Sequence, residues 1–244
     1  MNIAFLFPLH NEEKRVLKVF KLLNYLNKNF KKHKFYFLLN NCTDNTENYL
    51  KNYFKKYKNL MIIKSQSKSR GTGINKALKK IKAEYFAICA VDNAWGFSFY
   101  KRAYKKIKLH SNIKIVYGSK SHPYSKIKVS MTRKIISLAS KLFLRLLFPE
   151  KPNHDTQCIK IFSSKIPIKN FLINYNYFAE TQFAILANIF KIPSTTLPVT
   201  VKKTSNSKVN FILIIYYIIE ATHYRFMLLF FYTKKIISKK LFTI

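Results

Sequence analysis

The chain has 244 residues, with 45 Lys+Arg against 10 Asp+Glu for a formal charge of +35, and 48% of its residues are apolar. With only 4 Gly and 7 Pro, this composition excludes disordered, collagen-like and disulfide-scaffold classes and leaves one globular domain with an appendage. The basic residues are 39 Lys and 6 Arg spread over every segment, a diffuse cationic surface suited to anionic headgroups or phosphorylated substrates; nucleic-acid readers favour the bidentate Arg fork, so no nucleic-acid partner is expected.

In chain order, short apolar runs alternate with helical patterns. The expected strand–helix pairs are Ile3 to Phe7 with Glu12 to Phe30, Phe35 to Leu39 with Asp44 to Tyr57, and Leu60 to Lys64 with Gly71 to Ile81. Tyr85 to Ala90, a helix over Phe97 to Ile107 and a strand over Ile113 to Tyr117 continue the alternation. The first run, MNIAFLFPLHNEE, has too short an apolar stretch and no preceding basic region to read as a secretory signal. Strands apolar on both faces and alternating with helices predict an α/β fold with a mainly parallel sheet, and ligands at the carboxyl ends of its strands. Cys42, Cys89 and Cys158 are odd in number and widely spaced, which fits a reducing cytoplasm better than a disulfide framework or a metal site.

Acids are scarce, so their positions carry information. Only Asp44, Asp92 and Asp155 are Asp, and the first two follow expected strands, at the crevice end of the sheet. Asp44 suits a helix N-cap equally well, since TDNTE precedes a helical pattern. Asp92 is followed by Asn93, Ala94 and Trp95 rather than by a helix start.

Four stretches in order carry a resemblance: FPLHNEEKRV, LNNCTDNT, SRGTGINKAL and YFAICAVDNAW. They resemble the opening strand and loop, the second-strand loop, the Gly-containing helix start and the D-x-D position of inverting nucleotide-sugar glycosyltransferases of family 2. Further on, YGSK, RKIIS, HDTQCIKIF, YFAETQFAI and LPVTV are similar to the acceptor half of the dolichyl- or polyprenyl-phosphate sugar synthases. The resemblance covers roughly residues 1 to 208. It implies a GT-A, Rossmann-like domain over 1–208, with a membrane-proximal helical tail over 209–244.

The resemblance also implies roles. Pro8, His10, Asn11, Glu12, Asn40 and Gly71 would bind the nucleotide. Asp92 would ligate Mg²⁺ or Mn²⁺ and, with Asp155 and Glu180, form the catalytic set. Lys120, Arg133 and Ser137 would bind an acceptor phosphate. A cation at the diphosphate makes physical sense, because negative charge builds there as the sugar bond breaks. Two acids of the family pattern fall on Leu39 and Ala90, so the site keeps one metal carboxylate of two, and Asn40 offers an amide to the base. Arg133 and Ser137 lie four apart and share one helix face. Asp155 and Gln157 share a face if DTQC is extended. An unpaired Glu180 amid Phe178, Ala179, Phe183 and Ala184 would be costly without a role.

The C-terminal VNFILIIYYIIEATHYRFMLLFFYTKKIISKK has apolar runs of nine and seven residues separated around Glu220, His223 and Arg225, short of the ~20 needed to span a bilayer. It reads as an interfacial or re-entrant segment with cationic flanks, and IISLASKLFLRLLF as a second basic amphipathic stretch. The expected protein is therefore peripheral to the cytoplasmic face of a membrane. It would move a sugar from a nucleotide-sugar donor to polyprenyl phosphate with inversion; the alternatives are a saccharide or glycan acceptor, or a degenerate sugar-nucleotide-binding protein.

Overall fold

Residues Ile3, Phe5, Phe7 and Leu9 enter one buried cluster while Ala4 and Leu6 enter another, the period-two alternation of a strand covered on both faces. The computed structural model describes residues 1–30, 33–54, 57, 59–91, 95–151, 154–201 and 211–233. In its first half the order is β1 (Ile3–Leu9), α1 (Glu13–Asn29), β2 (Lys34–Asn40), α2 (Thr46–Phe54), β3 (Leu60–Ser65), α3 (Arg70–Lys80), β4 (Tyr85–Ile88) and α4 (Ser98–Leu109). It continues with β5 (Ile115–Ser119), β6 (Lys126–Ile127), α5 (Met131–Leu147), β7 (Lys160–Ser163), a 3-10 turn (Pro167–Asn170), α6 (Ala179–Ile189), β8 (Ser194–Pro198), β9 (Thr200–Val201) and α7 (Phe211–Thr233). The expected strands and helices of the first half stand within a few residues of their expected bounds.

Seven strands form one sheet in the order β3-β2-β1-β4-β7-β5-β8, and β6 pairs β9 apart from it. β1 lies between parallel β2 and β4, with Phe5 opposite both Phe35 and Ala87; β7 runs antiparallel to β4 and β5. The chain leaves β1 toward β2 and returns to its other side with β4, so a crevice opens where the carboxyl ends of β1 and β4 diverge. On one face α1 buries Val16, Val19, Leu22, Leu23 and Leu26, at i, i+3, i+6, i+7 and i+10, each stabilising by about 1.5–3 kcal/mol. Phe5–Phe35 and Phe7–Phe37 stack across β1 and β2 with centroids 5.2 and 4.9 Å apart. On the other face α3, α6 and the inner sides of α5 and α7 cover the second cluster.

Two expectations are corrected here. DTQC is a turn rather than an extended strand, because the Asp155 carboxylate folds back to accept the Gln157 N–H at 3.0 Å. The C-terminal segment is one uninterrupted 23-residue helix, long and apolar enough over Phe211–Phe230 to cross a membrane by length and composition. Its polar residues do not break it, because each finds a partner on the fold. The Glu220 carboxylate accepts the N–H groups of Asn176, Tyr177 and Phe178 at 2.8–2.9 Å, His223 Nδ1 meets the Tyr175 hydroxyl at 2.5 Å, and Arg225 pairs with Glu150 at 3.1 Å. The expected boundary at 208/209 and the cationic KKIISKK lie outside the described residues.

Candidate active site

A cleft of about 270 Å³ sits at the β1/β4 divergence. Pro8 from the end of β1, Glu12 and Arg15 from the start of α1, Arg70 from the start of α3, and Cys89, Ala90 and Val91 after β4 form its near wall. Trp95, Gln157 and Glu180 close it from the second half of the chain. Arg15 forks onto Glu12, with Nε to Oε2 at 2.6 Å and Nη2 to Oε1 at 2.5 Å. A short polar side chain at Ser69 caps α3, its hydroxyl accepting from Thr72 N–H, and so presents Arg70 at the cleft.

Glu180 is the centre of the far wall. Its Oε1 meets Arg70 Nη2 at 2.5 Å and its Oε2 meets Lys160 Nζ at 2.5 Å, where Lys160 is fully buried. It is thus paired with two cations, which offsets the cost of burying it among apolar neighbours. Burial pushes the carboxyl up, but the charges of Arg70 and Lys160 more than offset this and hold it below the usual carboxylate range. Asp155 behaves alike: burial raises it, and Lys120 at 2.7 Å brings it below its ordinary value. Both carboxylates are therefore anions at neutral pH with their lone pairs already directed at cations.

The acceptor side is crowded with positive charge. Lys120 lies 4.8 Å over the Trp95 ring and feels the repulsion of Arg133. Lys141 acts on Asp155 and on the buried Lys151, whose own ammonium is lowered first by burial. Arg133 and Ser137 both occupy the half-buried side of α5, one turn apart. The Tyr217 hydroxyl of α7 is 2.9 Å from Thr181 Oγ1 and also interacts with Gln157 and Ser140, so α5, α6 and α7 meet beside Asp155.

Four of the residues expected to contact nucleotide, His10, Asn11, Asn40 and Gly71, are not among those lining this cleft. His10 Nδ1 is 2.7 Å from the Asn40 carbonyl. Asn11, at φ 49°, exchanges hydrogen bonds with Thr43 at 2.9 and 3.1 Å. The Gly71 N–H is spent on the Tyr175 carbonyl at 2.9 Å, and a Cβ there would sit 2.2 Å from that oxygen. Asn40 is buried under α3, its Oδ1 without a hydrogen-bond partner and facing Gly73, where a Cβ would come within 2.1 Å. Asp44 caps two helices at once, accepting Glu13 N–H at 3.0 Å and Thr46 N–H at 3.1 Å. Arg15, Arg70, Lys160 and Lys141 were missed in the sequence reading.

Asp92, with Asn93 and Ala94, lies outside the described residues. Among the described residues no three His, Cys, Asp or Glu side chains cluster to hold a metal ion. Ala90 lines the cleft without a ligand atom, and Glu12 and Glu180 are committed to basic partners. The described residues therefore do not make a divalent-cation site by themselves.

Residues 5–166 match the sequence profile described as glycosyl transferase family 2. No match was found among curated proteins. Among solved structures, the chain resembles S. aureus TarS 1-349 in complex with UDP-GlcNAc at 16% identity and a TM-score of 0.59, covering 85% of this chain and 60% of that one. It also resembles mannosyl-3-phosphoglycerate synthase from Rubrobacter xylanophilus, at 10% identity and TM-score 0.68 over 92% and 74% of the two chains. M. tuberculosis glucosyl-3-phosphoglycerate synthase with Mn²⁺, UDP-glucose and phosphoglyceric acid gives 13% and 0.66 over 92% and 79%. The chain spans about 60% of the length of the TarS fragment. At these identities the likeness is one of fold.

Proposed function

The chain belongs to glycosyl transferase family 2, and from that membership we propose that it transfers a sugar, with inversion, from a nucleoside-diphosphate donor to a polyprenyl phosphate at the cytoplasmic face of a membrane. The observation that carries the choice of acceptor is the state of its two candidate bases. Glu180 and Asp155 are both held below the usual carboxylate range by Lys and Arg partners, which makes them poor proton acceptors. A phosphate monoester is already anionic and needs no strong base to attack an anomeric carbon.

In this reading the donor diphosphate faces Arg15 and Arg70, whose charge meets the negative charge that develops as the anomeric carbon–oxygen bond breaks. The acceptor phosphate lies at Lys120, Arg133, Lys141 and Ser137, and one of its oxygens forms the new bond from the opposite side of the sugar. The nucleoside diphosphate leaves and no proton is transferred. Glu180 keeps Arg70 and Lys160 in place, and Asp155 does the same for Lys120. Mg²⁺ or Mn²⁺ held by Asp92, the diphosphate and water would add Lewis-acid charge at the leaving group; the steps above are those of the chain's own side chains.

Membrane attachment is supported by α5 and α7, which meet beside the acceptor side and turn apolar residues outward. Ile135, Leu138, Leu142 and Leu146 of α5 and Phe211, Ile215, Ile219 and Phe226 of α7 are exposed on a chain of charge +35, a pairing suited to an anionic bilayer.

The test incubates membranes carrying the protein with polyprenyl phosphate, Mg²⁺ or Mn²⁺, and labelled UDP- and GDP-sugars. Label should enter the organic extract for one donor and be lost in Asp92→Ala and Arg133→Ala. Label that appears only on a water-soluble glycan, with Arg133→Ala mild and Glu180→Gln inactive, would overturn the lipid acceptor. Metal-dependent nucleotide binding without any transfer would overturn the enzyme.

A further inference from the structure

A carboxylate outside the cleft holds a run of backbone beside it. Glu220, on α7, accepts three consecutive backbone N–H groups, Asn176 at 2.9 Å and Tyr177 and Phe178 at 2.8 Å. These are the groups that precede α6, and Glu180 lies in the first turn of that helix. A helix start leaves N–H groups without intrahelical partners, and the residue at the N-cap, Phe178, has no side chain to fill them. The carboxylate from α7 instead takes the N–H of that N-cap residue and of the two residues before it, at the end of the helix where its dipole favours negative charge.

The same short segment reaches the donor side. The Asn176 side-chain oxygen accepts the Arg70 N–H at 3.0 Å, the Tyr175 carbonyl accepts the Gly71 N–H at 2.9 Å, and the Ser69 hydroxyl donates to the carbonyls of Asn174 and Tyr175 at 3.0 Å. Glu220 thus clamps the strip of backbone against which both members of the Arg70–Glu180 pair are set.

We infer that Glu220 is a positioning residue for the cleft: α7, the helix with the exposed apolar flank, fixes the backbone from which Glu180 and Arg70 face each other. Placement in transfer reactions is sensitive, since a displacement of about 1 Å can cost 10²-fold in rate. Gln at 220 keeps the shape but turns an N–H₂ donor toward one or more of the three N–H groups, so the clamp opens without removing volume. Glu150→Gln is the control, because it cuts the other charged tie of α7, to Arg225, without touching 176–178.

The experiment compares the full chain with Glu220→Gln, Glu220→Asp and Glu150→Gln by backbone amide exchange and by transfer kinetics. Glu220→Gln should exchange the amides of 176–178 at least tenfold faster while β1 and β2 keep their protection. Its kcat should fall at least tenfold with the donor KM changed less than threefold. Glu220→Asp, which keeps the charge on a shorter arm, should recover part of both and serves if the Gln variant does not fold. Glu150→Gln should leave both readouts near wild type. Unchanged protection at 176–178, or an equal effect of Glu150→Gln, would overturn the inference. The kinetic arm rests on the transfer reading above and the exchange arm does not, so a wild type that transfers nothing defeats that reading while the exchange rates still decide the role of Glu220.

Discussion

Lys160 has no exposed surface and its ammonium depends on Glu180. Glu180→Ala strands a buried charge and is expected to destabilise by about 3–5 kcal/mol, whereas Lys160→Met with Glu180→Leu should recover most of the loss; urea unfolding of the three chains measures this. Gly73→Ala would ordinarily help a helix by about 1 kcal/mol, but its Cβ meets the buried Asn40 amide at 2.1 Å. It should cost about 1–3 kcal/mol alone and turn favourable in an Asn40→Ala background. His33 Nδ1 accepts the Ile3 N–H at 2.9 Å and so must be unprotonated there. Burial chiefly, with the N-terminal charge, lowers it from 6.5 against an opposing pull from Glu84. A base lowered in the fold contributes fully above its unfolded value, so stability should fall as pH drops below 6.5 toward the folded value, and His33→Asn should flatten that slope in denaturant midpoints taken from about pH 5 to 8. The scarcity of acids singled out Asp155 in the sequence and the family resemblance singled out Glu180, but Arg is as scarce and carries the same kind of signal. Of only six Arg in the chain, Arg15 and Arg70 line the cleft and Arg133 acts on Lys120, a signal the composition held.

At the scale of elements, α5 and α7 divide each helix between two tasks. Leu144 of α5 and Ala221, Tyr224 and Leu228 of α7 face the core, while their outer sides stay apolar. Leu142→Glu with Leu146→Glu, or Ile215→Glu with Ile219→Glu, leaves the core untouched and should weaken co-flotation with phosphatidylserine vesicles at least tenfold, given about 1.5–3 kcal/mol per buried aliphatic side chain. The strands and first helices were legible because a period of two or of 3.6 residues is written locally. The continuity of α7 was not, because the partners of Glu220, His223 and Arg225 lie 42 to 75 residues away in sequence. DTQC misled for the opposite reason: an Asp side chain two residues from an N–H prefers to make its own turn.

Over the whole molecule, the sheet order and the reversal of β7 were beyond reach of pattern, since Tyr85 finds Ser163 and Ile88 finds Lys160 across most of the chain's middle. The charge of +35 is a global property with a global test: vesicle binding should weaken severalfold from low to high salt as the Debye length shrinks from about 30 Å at 0.01 M to 3 Å at 1 M, leaving the apolar share in place. The position of Glu220 has a consequence in time as well as in space. The backbone it clamps lies 42 to 44 residues upstream, and at about 5–20 residues per second the ribosome takes seconds to deliver the carboxylate after the strip has been made. Every nascent chain passes through an interval in which the sheet and Arg70 are present but the far wall of the cleft lacks its clamp, so the cleft is completed only after α7 has been made.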